Sequence, residues 1–286
     1  MPFLLHRRGF LNVLAGSAGV THALVAANAP SSWALMSDPH IDADLNASGY
    51  SGANIYTNVA RSVAQITASG AQLCVVPGDL AHLIGTPADY TAFNQLVSPI
   101  ANHMPMLMTV GNHDNRTNFQ RSITRLGTNQ NVSGHYVLVL DYSDWRIIVL
   151  DSLLATNQPE GLLGSSQRSW LQKALSNGKS QRTLIFLHHD PGTTDISLAD
   201  AWQFMQIVQP ARQVKAVFFG HQHQYHVTTS SGLHLVQLPS AAYNFDPAYP
   251  IGWVQMAMNT TGARLTLFAN DGNLTGNGST TNLTWR

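Results

Sequence analysis

The stretch from Met108 to Asp114, which reads M-T-V-G-N-H-D, most constrains how this chain can fold. An apolar run stops at Gly111, a residue that permits a sharp turn, and three polar side chains follow it. This order is typical of a buried strand that ends in a loop at the rim of an α/β sheet, where such sheets bind ligands. Taken alone, it is explained equally well by a turn in which Asn112 merely closes the strand.

Four other predicted strands also end in polar motifs. Two predicted helices separate the first three strands. One is indicated by the helical spacing of apolar residues over 53–68, and the other is a segment at about 87–101. Alternating strands and helices predict a largely parallel sheet. Runs at 136–141 and 145–151 predict a β-hairpin, and the last sixty residues are mostly β, as the outer strands of a second sheet. The four further motifs are Asp38-Pro39-His40, Gly78-Asp79, His188-His189-Asp190-Pro191 and Gly220-His221-Gln222-His223.

Carboxylate, amide and imidazole groups gathered at one rim are the ligand set of divalent first-row metals. A single zinc ion needs three or four ligands, whereas two ions about 3.5 to 4 Å apart accommodate a larger set. The motifs therefore predict a site for two divalent ions. Mixed oxygen and imidazole ligands suit Mn, Fe, Zn and Co alike, so the sequence does not identify the metal.

Composition narrows the classes of partner. The net charge is zero and charged residues make up only 10% of the 286 residues, against roughly a quarter in ordinary soluble domains. Nucleic acid is therefore a poor candidate, and a small molecule is the expected partner. Cys74 is the only cysteine, which excludes an internal disulfide and a thiolate metal cluster, and its apolar surroundings favour a buried structural role. The oligomeric state stays unknown from the sequence.

Residues 1–29 are predicted to be an export signal of the twin-arginine type. Arg7-Arg8-Gly9-Phe10-Leu11 precedes an Ala- and Gly-rich stretch, and small residues follow near Ala27 and Ala29. A retained anchor or an ordinary N-terminal helix is the alternative, although the stretch is marginal for the ~20 apolar residues of a membrane span. We therefore expect residues 30–286 to form a single catalytic domain that is periplasmic or secreted, with no stable membrane association after cleavage.

The order D-x-H, G-D, G-N-H-D, H and G-H-x-H resembles the calcineurin-like metallophosphoesterase superfamily. Within it, the chain is most similar to the bacterial phosphodiesterase-like branch that includes class III cyclic-nucleotide phosphodiesterases. Asp190 stands where that branch commonly has proline, which leaves the shape of its loop open. The resemblance implies an α/β fold, a four-layer αββα sandwich with two mixed β-sheets flanked by helices.

The resemblance also implies roles for individual residues. A hydroxide between two metal ions would attack phosphorus in line. His113 would stabilise the phosphoryl oxygens or protonate the leaving alkoxide, and Asp114 would orient that imidazole. Asp38, His40 and His223 would hold one metal, Asn112, His188 and His221 would hold the other, and Asp79 would bridge them.

Two histidines have less definite roles. The family pattern aligns His188 with the ligand, which leaves His189 to line the substrate pocket. His82 stands where purple acid phosphatases carry a metal-binding tyrosine, so a ferric–phenolate enzyme is disfavoured. His82 is then either a residue close to the metals or substrate, or simply a histidine of a turn.

The expected function is hydrolysis of phosphodiester bonds in small molecules. A phosphomonoesterase of the acid or alkaline phosphatase kind is the alternative, and pocket loops would decide between them. A non-catalytic interaction module is a third reading, which the complete set of ligand residues argues against. The aromatic-rich segment Tyr243-Asn244-Phe245-Asp246-Pro247 could cap a nucleoside or another apolar leaving group, or could pack the edge of the sandwich.

Overall fold

The computed structural model describes residues 28–177 and 181–286, so the predicted signal at 1–29 lies almost entirely outside the described residues. The described chain forms two mixed β-sheets and five α-helices. None of these helices combines the length and the apolar composition that a membrane span requires. The helices are α1 (Ile55–Ala68), α2 (Pro87–Ala101), α3 (Arg116–Ser122), α4 (Gly164–Asn177) and α5 (Ala201–Val208).

The first sheet has six strands. Its members are β1 (Ser32–Leu35), β2 (Leu73–Pro77), β3 (Met106–Thr109), β11 (Pro250–Met258), β12 (Gly262–Gly272) and β13 (Thr280–Thr284). They lie in the order β13-β12-β11-β1-β2-β3. Strands β1, β2 and β3 are parallel, as the strand–helix pattern predicted, and β11 pairs antiparallel with β1.

The second sheet has seven strands. Its members are β4 (Thr128–Asn129), β5 (Leu138–Asp141), β6 (Trp145–Val149), β7 (Arg182–Phe186), β8 (Val214–Phe219), β9 (His226–Ser230) and β10 (Leu233–Gln237). They lie in the order β4-β5-β6-β7-β8-β10-β9, and β5 and β6 form the predicted hairpin. Strands β6, β7, β8 and β10 are parallel neighbours.

The C-terminal strands correct one sequence-based expectation. They were expected to be the outer strands of a second sheet, but only β9 and β10 extend that sheet. Strands β11 to β13 join the first sheet instead, because the edge of β1 that faces away from β2 pairs with β11. Both sheets are therefore completed by strands that come late in the chain.

Successive side chains of β7 in the second sheet point to opposite faces, and this alternation explains how the layers pack. Leu184 and Phe186 of β7 belong to the core cluster that includes Trp33 of the first sheet, and the Trp33 and Phe186 rings are 6.3 Å apart. Ile185 and Leu187 belong instead to the cluster with the buried residues of α4 and α5. One face of the strand thus packs between the sheets and the other packs under helices, as side chains of period two require. The fold is the expected four-layer sandwich.

Two helix starts show why the sequence folds in this way locally. The Asn54 side chain accepts a hydrogen bond from the Thr57 N–H and caps α1. Thr86 and Asp89 form a reciprocal capping box at the start of α2. These caps end the loops that follow β1 and β2, and those loops carry the first two polar motifs.

Candidate metal centre

The structure brings the predicted ligand side chains of five strand ends together at one buried site. On one side, His40 Nε2 lies 3.0 Å from His223 Nε2 and 3.6 Å from Asp79 Oδ2. The His223 Nε2 atom also lies 3.5 Å from Asp38 Oδ1. Two imidazole nitrogens and two carboxylates that face one another in the interior form a preassembled donor set for a cation.

A second group of donors adjoins the first. His188 Nε2 lies 3.1 Å from Asn112 Oδ1 and 3.2 Å from Asp79 Oδ2. The ligand-capable atoms of His188, His189 and His221 all lie within 4.8 Å of one another. Asp79 is therefore in contact with both groups, the position that a bridging carboxylate would occupy.

Backbone carbonyls set which nitrogen each imidazole presents to the site. His188 Nδ1 lies 2.9 Å from the Pro77 carbonyl oxygen, and His221 Nε2 lies 2.9 Å from the Ile196 carbonyl oxygen. Since a carbonyl oxygen only accepts, both of those nitrogens carry the proton. The remaining nitrogens, His188 Nε2 and His221 Nδ1, are then the ones left to bind a metal.

Among the described residues, histidines alone balance the negative charges of Asp38 and Asp79. Burial opposes ionisation of Asp38, but a hydrogen bond from His223 and the nearby His188 outweigh it and lower the pKa of Asp38 to about 2. Burial likewise opposes protonation of His188, yet Asp79 raises the pKa of His188 to about 9. Within the described chain, the ion pairs of Asp38 and Asp79 involve histidine alone. Two buried carboxylates without a lysine or arginine partner call for another cation.

Other imidazoles of the site favour the neutral form that binds metals. Burial lowers the pKa of His40 well below its ordinary value, and it lowers the pKa of His221 to about 4. The Nδ1 atoms of His40 and His223 are buried and have no hydrogen-bond partner in the described structure. Unpartnered buried nitrogens of this kind are rare in proteins, and they mark the cluster as a functional site.

The backbone is strained at the same positions. Left-handed φ values are uncommon for residues other than glycine and cost of the order of 1–3 kcal/mol each. Nine such residues occur in the described chain, and five of them are predicted metal ligands. The five are Asp38 (φ 51°), His40 (φ 47°), Asp79 (φ 50°), His221 (φ 73°) and His223 (φ 54°). Strain concentrated on these residues indicates that their side-chain directions matter more than local stability.

His113 lies beside the cluster without belonging to its interior. Its backbone N–H donates to Asp79 Oδ1 at 2.8 Å, and its ring centroid is 5.2 Å from that of His40. The Nδ1 atom lies 3.0 Å from the Leu83 carbonyl oxygen, so it must donate there. The ring is therefore held from two sides, and its Nε2 atom is the nitrogen left for another partner.

Asp114 does not orient that ring as the sequence suggested. Its buried carboxylate accepts hydrogen bonds from the Gly111 N–H (2.8 Å) and the Tyr90 hydroxyl (3.0 Å). It also accepts weaker bonds from the N–H groups of Leu80 and Ala81. Asp114 thus ties the loop after β2 to the loop after β3, and the Leu83 carbonyl orients the imidazole instead.

The two less definite histidines lie in different surroundings. His189 is fully buried, its Nδ1 lies 2.8 Å from Ser152 Oγ, and its ring centroid is 4.5 Å from that of His221. His82 Nδ1 lies 3.2 Å from Asp42 Oδ2, and its ring centroid lies 6.3 Å from that of His40. His189 therefore packs directly against the ligand candidates, whereas His82 lies further from them.

Two residues, Ser240 and Asp190, support the site although the sequence analysis assigned them no role. Ser240 Oγ donates to the Asp38 carbonyl oxygen from a segment that is distant in the chain. Asp190, at the position where the family often has proline, accepts from Ser197 Oγ and Gln222 Nε2. These bonds hold the loop whose Ile196 carbonyl orients His221. Asp190 thereby supports the ligand indirectly.

The side chains present fit two divalent ions. They supply oxygen and imidazole donors, and the buried carboxylates of Asp38 and Asp79 have no lysine or arginine partner in the described chain, so divalent ions suit this cluster. One group of candidates contains Asp38, His40 and His223, the other contains Asn112, His188 and His221, and Asp79 contacts both.

Comparisons with known proteins agree with this geometry. The sequence model of the calcineurin-like phosphoesterase family matches residues 33–225, which include all seven ligand candidates. A probable cyclic nucleotide phosphodiesterase of Synechococcus sp. is 30% identical over 198 residues, covering 67% of this chain and 73% of the relative. A 3′,5′-cyclic adenosine monophosphate phosphodiesterase of Pseudomonas aeruginosa is 26% identical over 226 residues, covering 74% of this chain and 76% of the relative.

Solved structures share the fold. A dimetal phosphatase from Danio rerio superposes with a TM-score of 0.67 at 15% identity, covering 90% of this chain and all of that one. The yellow lupin purple acid phosphatase PPD1 superposes with a TM-score of 0.64 at 14% identity, covering 90% of this chain and 54% of that one. At such low identity these likenesses concern the architecture alone.

Proposed function

This chain belongs to the calcineurin-like phosphoesterase family, and on that premise we propose that it hydrolyses small phosphodiesters, cyclic nucleotides among them. It is a metal-dependent phosphoesterase. The observation that carries the proposal is the convergence of five strand ends on one buried donor set, in which backbone carbonyls bind the outer nitrogens of His188 and His221 and leave the others toward the site. An interaction module would have no need of this arrangement.

Seven side chains would hold the two ions. Two divalent ions bound there would polarise phosphoryl oxygens and make water a stronger nucleophile. Manganese, iron, zinc and cobalt all suit the donors, so supply in the cell would decide which metal is used. The proposed ligands are Asp38, His40 and His223 for one ion and Asn112, His188 and His221 for the other, with Asp79 shared.

His113 is the proposed catalytic residue outside the metal ligands. Since its Nδ1 proton is bonded to the Leu83 carbonyl, the ring offers Nε2 to the substrate. A proton on Nε2 would stabilise a phosphoryl oxygen or pass to the departing alkoxide. Its backbone bond to Asp79 keeps the ring at a constant position relative to the metal ligands.

Electrostatics near the site favours a diester over a monoester. A phosphomonoester carries about −1.5 to −2 charges at neutral pH, and proteins commonly neutralise such charge with arginine. The arginine that follows the His113 loop, Arg116, is already bonded through two nitrogens to the buried Asp151 at 2.6 and 3.0 Å. It is therefore not free to bind a second phosphate charge, and the single charge of a diester matches the site better.

The test is a substrate panel with protein that has been stripped of metal and reloaded separately with Mn, Zn, Fe or Co. The panel contains bis(p-nitrophenyl) phosphate, p-nitrophenyl phosphate, cyclic AMP and AMP. We expect faster turnover of the diesters, and loss of metal and activity in Asp79→Ala. Faster monoester turnover with every metal would make the enzyme a phosphatase, and a wild type that binds no metal in stoichiometric amount would refute the enzymatic function.

Export to the periplasm or beyond is part of the same proposal and is supported by the sequence alone. Arg7 and Arg8 precede the Ala- and Gly-rich stretch that the signal requires. N-terminal sequencing of the exported protein should find a start near residue 28 or 30, and a variant with both arginines changed to lysine should stay inside the cell. Recovery of wild-type protein from the cytoplasm with Met1 intact would overturn the assignment.

A further inference from the structure

An aromatic wall extends outward from the half of the site that contains Asp38, His40 and His223. The buried Tyr243 ring lies 4.9 Å from the His40 ring and 4.6 Å from the His223 ring. The Phe245 ring stacks on His223 at 4.4 Å with an interplanar angle of 21°. Tyr50, from a different loop, packs edge-on against Phe245 with ring centroids 5.6 Å apart. The wall therefore connects two metal-ligand candidates to the surface.

Exposure increases along this wall. Tyr243 is 7% exposed, whereas Phe245 is 49% and Tyr50 is 55% exposed. Apolar rings gain free energy when they leave water, so exposed rings that adjoin a catalytic site mark a place where a ligand binds. If Phe245 and Tyr50 served only to pack the edge of the sandwich, half of each side chain would not remain open to solvent.

Specific contacts hold both loops that carry these aromatic residues. Tyr50 lies in a short turn closed by the bond from the Gly49 N–H to the Ala53 carbonyl, and a β-carbon at Gly49 would collide with the Tyr243 ring. On the other loop, Ser240 Oγ donates to the Asp38 carbonyl and accepts from the Tyr243 N–H. The aromatic wall is therefore attached to the metal-ligand loop itself, and binding to it needs little further ordering.

We infer that Tyr50 and Phe245 form the specificity subsite of the enzyme and stack on a planar aromatic group of the substrate, such as the base of a cyclic nucleotide. This inference rests on the proposed function, since it assigns the part of the diester that does not react. A planar heterocycle fits the wall because aromatic rings bind a base by stacking without requiring particular hydrogen bonds. The described residues of the wall carry no charge, so they select for aromaticity and not for a second anionic group.

The experiment compares cyclic AMP with a matched diester, the methyl riboside 3′,5′-cyclic phosphate, in which a methoxy group replaces the base. Both have the same scissile bond, so only the aromatic group differs. In wild type, kcat/KM should be higher for cyclic AMP. In Tyr50→Ala and Phe245→Ala this preference should fall by about fivefold to hundredfold, the range that loss of a base–aromatic stack produces, and the change should come mainly through KM.

Three controls keep the result interpretable. Tyr50→Phe preserves the ring and should keep the preference for cyclic AMP. Trp202→Ala removes an aromatic side chain that is 72% exposed on α5 and should resemble wild type with both substrates. Because the Phe245 ring stacks on that of His223, the metal content of Phe245→Ala is measured by elemental analysis. Among the described residues, Tyr50 has its ring pair with Phe245 and none with a ligand candidate, so its variant is the cleaner test of stacking.

The outcomes separate this inference from the proposed function. A wild type that hydrolyses both diesters equally well, or alanine variants that lose activity equally on both, would refute the subsite and leave the phosphodiesterase function standing. A metal-loaded wild type that hydrolyses neither of these diesters nor bis(p-nitrophenyl) phosphate would refute the proposed function itself.

Discussion

The Nδ1 atom of His113 lies 3.0 Å from the carbonyl oxygen of Leu83, and this contact fixes the tautomer of the ring. Because the carbonyl only accepts, Nδ1 is protonated and Nε2 is the nitrogen left for another partner, which we propose is the substrate. The loop after β2, which contains Leu83, therefore controls a residue on the loop after β3. The Leu83 carbonyl thus orients the His113 ring, a role that the sequence analysis assigned to Asp114.

Replacement of His113 should separate metal binding from catalysis. We expect His113→Ala to retain both ions and to lose kcat by about 10²- to 10⁴-fold, the usual contribution of a general acid. Elemental analysis and steady-state kinetics with a phosphodiester measure the two effects. His103→Ala is the matched control, because His103 is exposed and its Nδ1 is also bonded to a carbonyl, that of Pro99. Loss of metal from His113→Ala would show that His113 is a ligand.

Replacement of Asp114 should lower the stability of the fold, because its direct contacts are structural. Asp114→Ala would leave buried N–H groups and the Tyr90 hydroxyl without their acceptor, at about 1–3 kcal/mol for each group left unsatisfied. We expect a lower free energy of unfolding in urea for the metal-free protein, and a smaller loss of about 1 kcal/mol for Tyr90→Phe. An Asp114→Ala protein as stable as wild type but inactive would restore a catalytic role to this residue.

Gly220 is expected to tolerate no side chain. A β-carbon at this position would overlap Asp38 Oδ2 and Ser37 Oγ, so Gly220→Ala should displace the Asp38 carboxylate and reduce metal stoichiometry. Gly276→Ala is the control, since its nearest neighbour would be Leu267 Cδ2 at an ordinary 3.4 Å. Metal titration of both variants is the measurement, and full metal content in Gly220→Ala would contradict the close packing.

Cys74 is expected to be chemically inert in the folded protein. Burial raises the pKa of its thiol to about 12, so almost no thiolate exists at neutral pH. A thiol reagent such as DTNB should leave the native protein unmodified and should titrate one thiol after unfolding in guanidinium chloride. Rapid reaction of the native protein would contradict this prediction and would mean that strand β2, which contains Cys74, opens readily.

Much of the fold was predictable because local patterns correspond to local structure. Apolar runs of strand length and the helical spacing over 53–68 both reflect interactions between near neighbours in the chain. The sheet assignment of the last strands was not predictable in this way. Whether β11 pairs with β1 or extends the other sheet depends on which edge is free after folding.

The site likewise has a part that local sequence predicts and a part that it does not. The candidate metal ligands could be selected from local sequence, since parallel strands end at a common rim and each motif follows its own strand directly, and their role as ligands stays a prediction. The folded structure was needed to show which nitrogens of His188 and His221 remain for a metal, which group orients His113, and that Tyr50 packs against Phe245. These facts depend on contacts between loops that are far apart in the chain, and no local pattern encodes the distance between them.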